Sequence, residues 1–67
     1  MSDYRSMRAR RQRNRISKVQ MARRLGCAES WVNALELGHY RGPARERWAE
    51  RYASALEDLI NERKARP

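Results

Sequence analysis

The apolar residues of the chain recur with the period of an α-helix, and the two-residue alternation of a β-strand is absent from the sequence. In residues 3–14, Tyr4, Met7 and Arg11 fall at positions i, i+3 and i+7, with arginine and glutamine between them. This spacing predicts a short amphipathic helix that has a narrow apolar stripe and a basic opposite face.

A turn and a capping box separate this helix from a second one. The Asn14-Arg15 dipeptide predicts the turn. Ser17 is a good N-cap, and Gln20 stands three residues later, which makes a capping box. The second helix is therefore predicted over about residues 18–25, and its buried side chains are expected to be Ala22, Leu25 and either Val19 or Met21.

A glycine turn leads from the second helix into a third. Gly26 can take the left-handed backbone that ends a helix. The third helix is predicted over about residues 29–37, with Val32 and Leu35 buried and a stop at Gly38. Ala28 stands at its N-cap and cannot accept a backbone hydrogen bond, which costs about 1 kcal/mol relative to serine. Two helices joined in this way are typical of a helix-turn-helix, whose second helix enters a DNA major groove.

The C-terminal segment, residues 44–64, follows the loop 39–43, which contains Gly42 and Pro43. It contains no glycine or proline, and it has an apolar stripe at helical spacing formed by Trp48, Tyr52, Leu56, Leu59 and Ile60. The segment forms either one long helix or two helices, with Ser54 and Glu57 as a second capping box. We slightly favour the break. An apolar stripe of this kind is more often core than interface, but its length beyond the need of a small core predicts that part of it meets a second subunit. The residues favoured for that surface are Leu56, Leu59 and Ile60.

A length of 67 residues predicts one small domain covering the whole chain, and such a domain buries only about 60% of its unfolded surface. The sequence has no run of about 18 apolar residues and no apolar signal core. We therefore expect a soluble, cytoplasmic protein without a membrane partner. Cys27 is the single cysteine and cannot form an internal disulfide, which fits a reducing compartment.

The positive charge is concentrated in the first part of the chain. The chain has 16 basic and 8 acidic residues; nine basic residues and one acidic residue lie in residues 1–25, and seven of each lie in residues 26–67. The whole excess of +8 therefore belongs to the first 25 residues. Such a one-sided field attracts a polyanion, and the planar fork of arginine suits phosphate. The alternative is a solubilising basic face or a disordered basic arm.

Residues 16–38, with the sequence ISKVQMARRLGCAESWVNALELG, resemble the helix-turn-helix of Cro/repressor-type domains, the XRE family. The residues at the family's positions are Ile16, Ser17, Met21, Ala22, Leu25, Gly26, Cys27, Ala28, Val32, Glu36 and Gly38. The resemblance covers roughly residues 4–60. It departs from the family pattern at Cys27 and Ala28, where valine and serine or threonine are usual, and at Trp31, where a small or polar residue is common.

The resemblance implies a compact all-α domain of four or five helices with its helix-turn-helix at residues 17–37. It also implies sequence-specific binding to double-stranded DNA by a small transcriptional regulator, similar to the Cro and repressor proteins of phages or mobile elements. Members usually bind inverted repeats as homodimers, with half-sites about one helical turn apart. The protein is then expected near the nucleoid, or in the host cytoplasm if a phage encodes it.

Four residues of the third helix occupy places where the family presents side chains to base edges, namely Glu29, Ser30, Asn33 and Ala34, and Trp31 is a further candidate for a base contact. Glu29 can accept a hydrogen bond from cytosine, and Asn33 can bond to adenine. Ser30 suits either kind of edge, Ala34 suits a thymine methyl group, and Trp31 either reaches DNA or covers the core.

Other residues are predicted to contact the DNA backbone or to hold the helices together. The backbone candidates are Lys18, Tyr40, Arg41 and Arg15, with Arg5, Arg8 and Arg13 as further candidates. Tyr40 is otherwise a loop anchor on the core. Glu29 otherwise stabilises its helix start or pairs with Lys18. The resemblance also implies that Arg11 of the first helix pairs with Glu36 near the end of the third.

The sequence offers no constellation of groups for catalysis or metal binding. His39 is the only histidine, no plausible base accompanies Cys27, and no phosphate-binding glycine loop is present. We therefore expect no cofactor, no small-molecule ligand and no enzymatic activity. Two other functions remain open: an excisionase-like or architectural DNA-binding factor, and a basic RNA-binding or ribosome-associated protein.

Overall fold

The helical period of the sequence is realised as four α-helices in a computed structural model that describes residues 4–65. The helices are α1 (Tyr4–Arg13), α2 (Lys18–Leu25), α3 (Glu29–Glu36) and α4 (Arg45–Ala65). Within these residues there is no β-strand. The predicted all-α class is therefore confirmed, and residue 3 of the predicted first helix lies outside the described part of the chain.

The ends of α2 form as the sequence predicts. The Ser17 hydroxyl oxygen accepts a hydrogen bond from the Gln20 backbone N–H at 3.1 Å, and the Gln20 carbonyl oxygen accepts one from the Ser17 N–H at 2.8 Å. Gly26 closes the helix with a φ of 72°, which is the left-handed conformation. The capping box and the glycine stop are both confirmed.

The start of α3 lacks a side-chain cap. Ala28 occupies the N-cap in an extended conformation, and no side-chain hydrogen bond reaches the first turn. The helix ends at Glu36, one residue earlier than predicted, and Gly38 takes a φ of 74° just beyond it. Glu29 stands at the positive end of the helix dipole, which partly offsets the missing cap.

The core lies where α2 packs on α3 and α4, while α1 covers the side formed by α3 and α4. Its buried apolar side chains belong to all three later helices and to the turn before α2: Ile16, Met21, Ala22, Leu25, Val32, Leu35, Ala49, Tyr52, Ala55, Leu56 and Ile60. Of the two alternatives in α2, Met21 is fully buried and Val19 is 40% exposed. None of the four helices in residues 4–65 has the length and apolar character needed to span a membrane.

The expected break at Ser54 is wrong, because α4 runs without interruption through 21 residues. Its buried stripe continues on both sides of Ser54, from Tyr52 to Ala55 and Leu56. A helix that packs along its whole length gains more from continuous burial than from a second cap. The guanidinium of Arg24 in α2 also contacts the far half of α4, within 3.6 Å of Asp58 and 2.7 Å of Glu62.

The expectation that Leu56, Leu59 and Ile60 form a dimer surface is also wrong. Leu56 and Ile60 are 0% and 4% exposed inside the core of one copy, and Leu59 packs partly buried against the same core. The apolar stripe of α4 fits inside one small domain because residues of α1, of α2 and of the turn between them pack against it. Leu56 and Ile60 therefore belong to the internal packing of one copy.

A buried ion pair joins α1 to the C-terminal end of α3. Arg11 Nε donates to Glu36 Oε2 at 2.7 Å, and Arg11 Nη2 donates to Oε1 at 3.1 Å. Arg11 Nη1 donates to the Ile16 carbonyl oxygen at 2.7 Å, and the Tyr52 hydroxyl donates to Glu36 Oε2. This bidentate pair fixes α3 relative to α1, α4 and the α1–α2 turn at once.

Burial and the hydrogen bond to Glu36 raise the pKa of Tyr52 above its ordinary value of 10.0. Because the folded-state pKa lies above the unfolded-state value, the stabilising contribution of the neutral phenol is complete below about pH 10. It is lost as the pH rises above that point. The network therefore makes the stability of the protein sensitive to strongly alkaline conditions.

We expect the free energy of unfolding to decrease above about pH 10, and Tyr52→Phe to remove part of that decrease. The free energy of unfolding should decrease with pH more steeply for the wild type than for Tyr52→Phe. The difference between these two slopes should approach one proton, or about 1.4 kcal/mol per pH unit. Urea unfolding at a series of alkaline pH values measures it. Tyr40→Phe removes a phenol from the loop and should keep the wild-type slope. Equal slopes for wild type and Tyr52→Phe would contradict this role of Tyr52.

Candidate nucleic-acid interface

The exposed face of α3 is polar. Glu29 and Ser30 are exposed and Asn33 is half-buried, whereas Val32 and Leu35 on the opposite face are fully buried. Because residues three and four apart share a face of a helix, Glu29, Ser30 and Asn33 form one continuous surface. This surface has the hydrogen-bond donors and acceptors that contact base edges in a major groove. We refer to these three residues as the reading face.

The other two predicted base-contacting residues lie beside the reading face. Ala34 is half-buried. The Trp31 ring packs edge-on against Tyr40, with ring centroids 5.0 Å apart, and against Trp48, with centroids 5.5 Å apart. Its indole Nε1 is buried and has no hydrogen-bond partner. Trp31 is therefore half-buried, and its ring packs against these two aromatic side chains.

This aromatic cluster of Trp31, Tyr40 and Trp48 holds the loop after α3 in place. The Arg51 guanidinium lies 4.6 Å from the centre of the Trp48 ring and donates to the Leu25 carbonyl oxygen at 3.2 Å. A side chain at Gly42 would overlap the outer end of the Tyr40 ring, so the ring would have to move to accommodate one. Tyr40 is thus packed as the loop anchor that the sequence allowed as an alternative.

The contact that sequence analysis missed joins α2 to the reading face. Lys18 Nζ donates to Asn33 Oδ1 at 2.7 Å, and both side chains are half-buried. Lys18 therefore bonds to the side-chain amide of Asn33 and not to Glu29, which lies one helical turn earlier in α3. Sequence spacing gave no signal for this choice, because it depends on how α2 and α3 cross.

Exposed cations lie in the turn before α2 and in the loop after α3. Arg15 is exposed in the α1–α2 turn, with a φ of 57°, and Arg41 is exposed in the loop after α3. Arg8 lies at the rim of the buried pair, 3.9 Å from Glu36. Arg63 of α4 donates to the Asn14 carbonyl oxygen, which brings another cation to the α1–α2 turn. Arg13 is also exposed at this end of the molecule.

Cys27 is half-buried and His39 is exposed. Burial raises the pKa of the Cys27 thiol, and the charge of Arg51 lowers it by less, so the thiol stays protonated at neutral pH. Among residues 4–65, no group of three histidine, cysteine or acidic side chains is placed to hold a metal ion. Cys27 packs partly buried against the core as a small apolar residue.

The fold and the reading face define a helix-turn-helix DNA-binding protein. The chain belongs to the helix-turn-helix domain family, whose model matches residues 5–63. This match agrees with the Cro/repressor-type resemblance of residues 16–38. Comparison with curated proteins and with solved structures gave no match. Domains of this family bind DNA and are typically non-enzymatic.

Proposed function

We propose that the protein binds double-stranded DNA with sequence specificity and acts as a small transcriptional regulator of the Cro/repressor type. In this proposal α3 is the recognition helix, and two copies occupy the two halves of an inverted repeat. The observation that carries the proposal is the polar reading face on a helix whose position is fixed by the buried Arg11–Glu36 pair.

The proposed base contacts belong to the reading face. Glu29 is suited to accept from the amino group of cytosine, and Ser30 is suited to either a donor or an acceptor. Asn33 supplies the amide that bonds to base edges. Ala34 and the ring of Trp31, which lie at the border of this face, are proposed to meet thymine methyl groups.

The proposed phosphate contacts belong to residues on either side of α3. Arg15 and Lys18 stand at the start of α2, where backbone N–H groups and the helix dipole favour an anion. Tyr40 and Arg41 lie in the loop beyond α3 and would reach the other strand. Phosphate contacts of this kind set the orientation of the protein, while the bases provide the sequence preference.

The proposal predicts that Asn33→Ala weakens specific binding by about 1–3 kcal/mol and leaves non-specific binding nearly unchanged. The loss arises because a base edge that was hydrogen-bonded is left without its partner. Fluorescence anisotropy with a duplex selected by the wild-type protein, and with a scrambled duplex of equal length, measures both affinities at one salt concentration.

Asn61→Ala is the matched control, because Asn61 is exposed on α4. It should leave both affinities as they are in the wild type. If Asn33→Ala instead weakens specific and non-specific binding equally, Asn33 does not contact a base. If the wild-type protein binds the selected and scrambled duplexes equally well, the proposal of sequence-specific binding is wrong.

A further inference from the structure

The hydrogen bond from Lys18 to Asn33 determines which groups the reading face offers to DNA. A lysine ammonium carries only donors, so the atom of Asn33 that faces it at 2.7 Å must be the carbonyl oxygen. The Asn33 amide nitrogen, with its two N–H groups, is then on the other side of the side chain. In this arrangement a cation occupies one of the two lone pairs of Asn33 Oδ1, and the groups that the two side chains have free are mainly N–H donors.

An asparagine that bonds to adenine needs both of its groups. It accepts from the adenine amino group through Oδ1 and donates to adenine N7 through Nδ2. Guanine presents two acceptors in the major groove, N7 and O6, and no donor at those positions. A pair of side chains whose free groups are mainly donors, with an ammonium beside their one acceptor, is therefore better matched to guanine than to the amino group of adenine.

Lys18 strengthens this match in two ways. After its bond to Asn33, the Lys18 ammonium keeps two further N–H donors, so one can serve the proposed phosphate contact while the other faces the base. The bond itself is charge-assisted and lies between two half-buried side chains, so water competes for it less than on an open surface. The pair thus forms a local cluster of donors at the junction of α2 and α3.

We propose that Lys18 is a specificity-determining residue: by holding the Asn33 carbonyl oxygen, it makes the Lys18–Asn33 pair select guanine where Asn33 alone would select adenine. This inference rests on the proposed function, because it concerns the same DNA-reading face. It adds the identity of the base and the residue that sets it.

The test begins by finding the base pair that Asn33 contacts. Duplexes are selected from random DNA with the wild-type protein and with Asn33→Ala, and the position at which only the wild type shows a preference is assigned to Asn33. We expect guanine at that position in the wild-type selection. The dissociation constant for the adenine-substituted duplex should be raised by roughly tenfold or more.

The decisive variant is Lys18→Met, which keeps the aliphatic stem and removes the donors. It should change the preference at the assigned position from guanine to adenine, because Asn33 Oδ1 is released. Lys18→Arg keeps a charged donor and should retain guanine. Arg23→Met removes the same charge from an exposed position of α2 and should weaken binding to all duplexes without changing the preferred base.

Circular dichroism and thermal unfolding establish that each variant is folded before its preference is measured. The inference is overturned if the wild type prefers adenine at the assigned position, or if folded Lys18→Met retains guanine there. It is also overturned if Asn33→Ala loses no preference at any position. In all three cases sequence-specific binding itself persists, so they are distinct from failure of the proposed function, in which the wild type enriches no sequence.

Discussion

Replacing Glu36 with glutamine should decrease the free energy of unfolding by about 3–5 kcal/mol. Glutamine has nearly the same shape, so the change removes the negative charge and leaves the packing in place. Arg11 is only 5% exposed and would keep its charge inside the core without a carboxylate to balance it. A chain of this length has about 3–5 kcal/mol of stability from its core, so most of the variant should be unfolded at 25 °C.

Urea unfolding followed by circular dichroism measures this change, with a stabilising osmolyte present if the variant is unfolded in buffer. Glu57→Gln removes the same charge from an exposed position of α4 and should change stability by less than about 0.5 kcal/mol. Arg11→Met combined with Glu36→Leu should be more stable than the two single changes predict by addition, because no buried charge is left over. A stability for Glu36→Gln equal to that of Glu57→Gln would show that the pair does not hold α3.

The affinity for duplex DNA should decrease by roughly a thousandfold between 50 and 200 mM salt. Neutralising about six phosphates gives a slope near −5 for log affinity against log salt, since each contact releases condensed counterions. We attribute this dependence to the exposed cations of the α1–α2 turn and of the loop after α3. Anisotropy titrations at several salt concentrations measure the slope.

A pair of arginine variants tests whether the phosphate contacts are where we place them. Arg41→Gln removes an exposed cation of the loop beyond α3 and should reduce the magnitude of the slope by about 1. Arg24→Gln removes a cation that is held by Asp58 and Glu62 on α4, so it should leave the slope nearly unchanged. Equal effects of the two variants would indicate a diffuse attraction between charges and no oriented contact.

Local sequence signals predicted the boundaries of α2 and α3 well. The capping box at Ser17 and Gln20 and the left-handed Gly26 depend only on neighbouring residues, and these features formed as predicted. The lack of a cap at Ala28 also follows from its own side chain. Such features can be read from the sequence because their hydrogen bonds close within a few residues.

Features that depend on how the helices cross could not be read in the same way. The helical period of α4 predicts its apolar stripe but not the residues that pack against the stripe. Leu56 and Ile60 are therefore expected at an interface, although they lie in the core. The sequence suggests Glu29 as a partner for Lys18, whereas the structure pairs Lys18 with Asn33. The Arg11–Glu36 contact was inferred by resemblance, and its hydrogen bond to Tyr52 had no counterpart in the sequence pattern.

The most direct test of the central claim is a selection of bound fragments from random duplex DNA with the wild-type protein. If α3 reads bases and two copies bind together, the selected fragments should share a sequence with two inverted half-sites whose centres lie about 10 base pairs apart. Bound fragments whose sequences are as random as the starting pool, recovered with a folded protein, would contradict sequence-specific recognition by this helix-turn-helix.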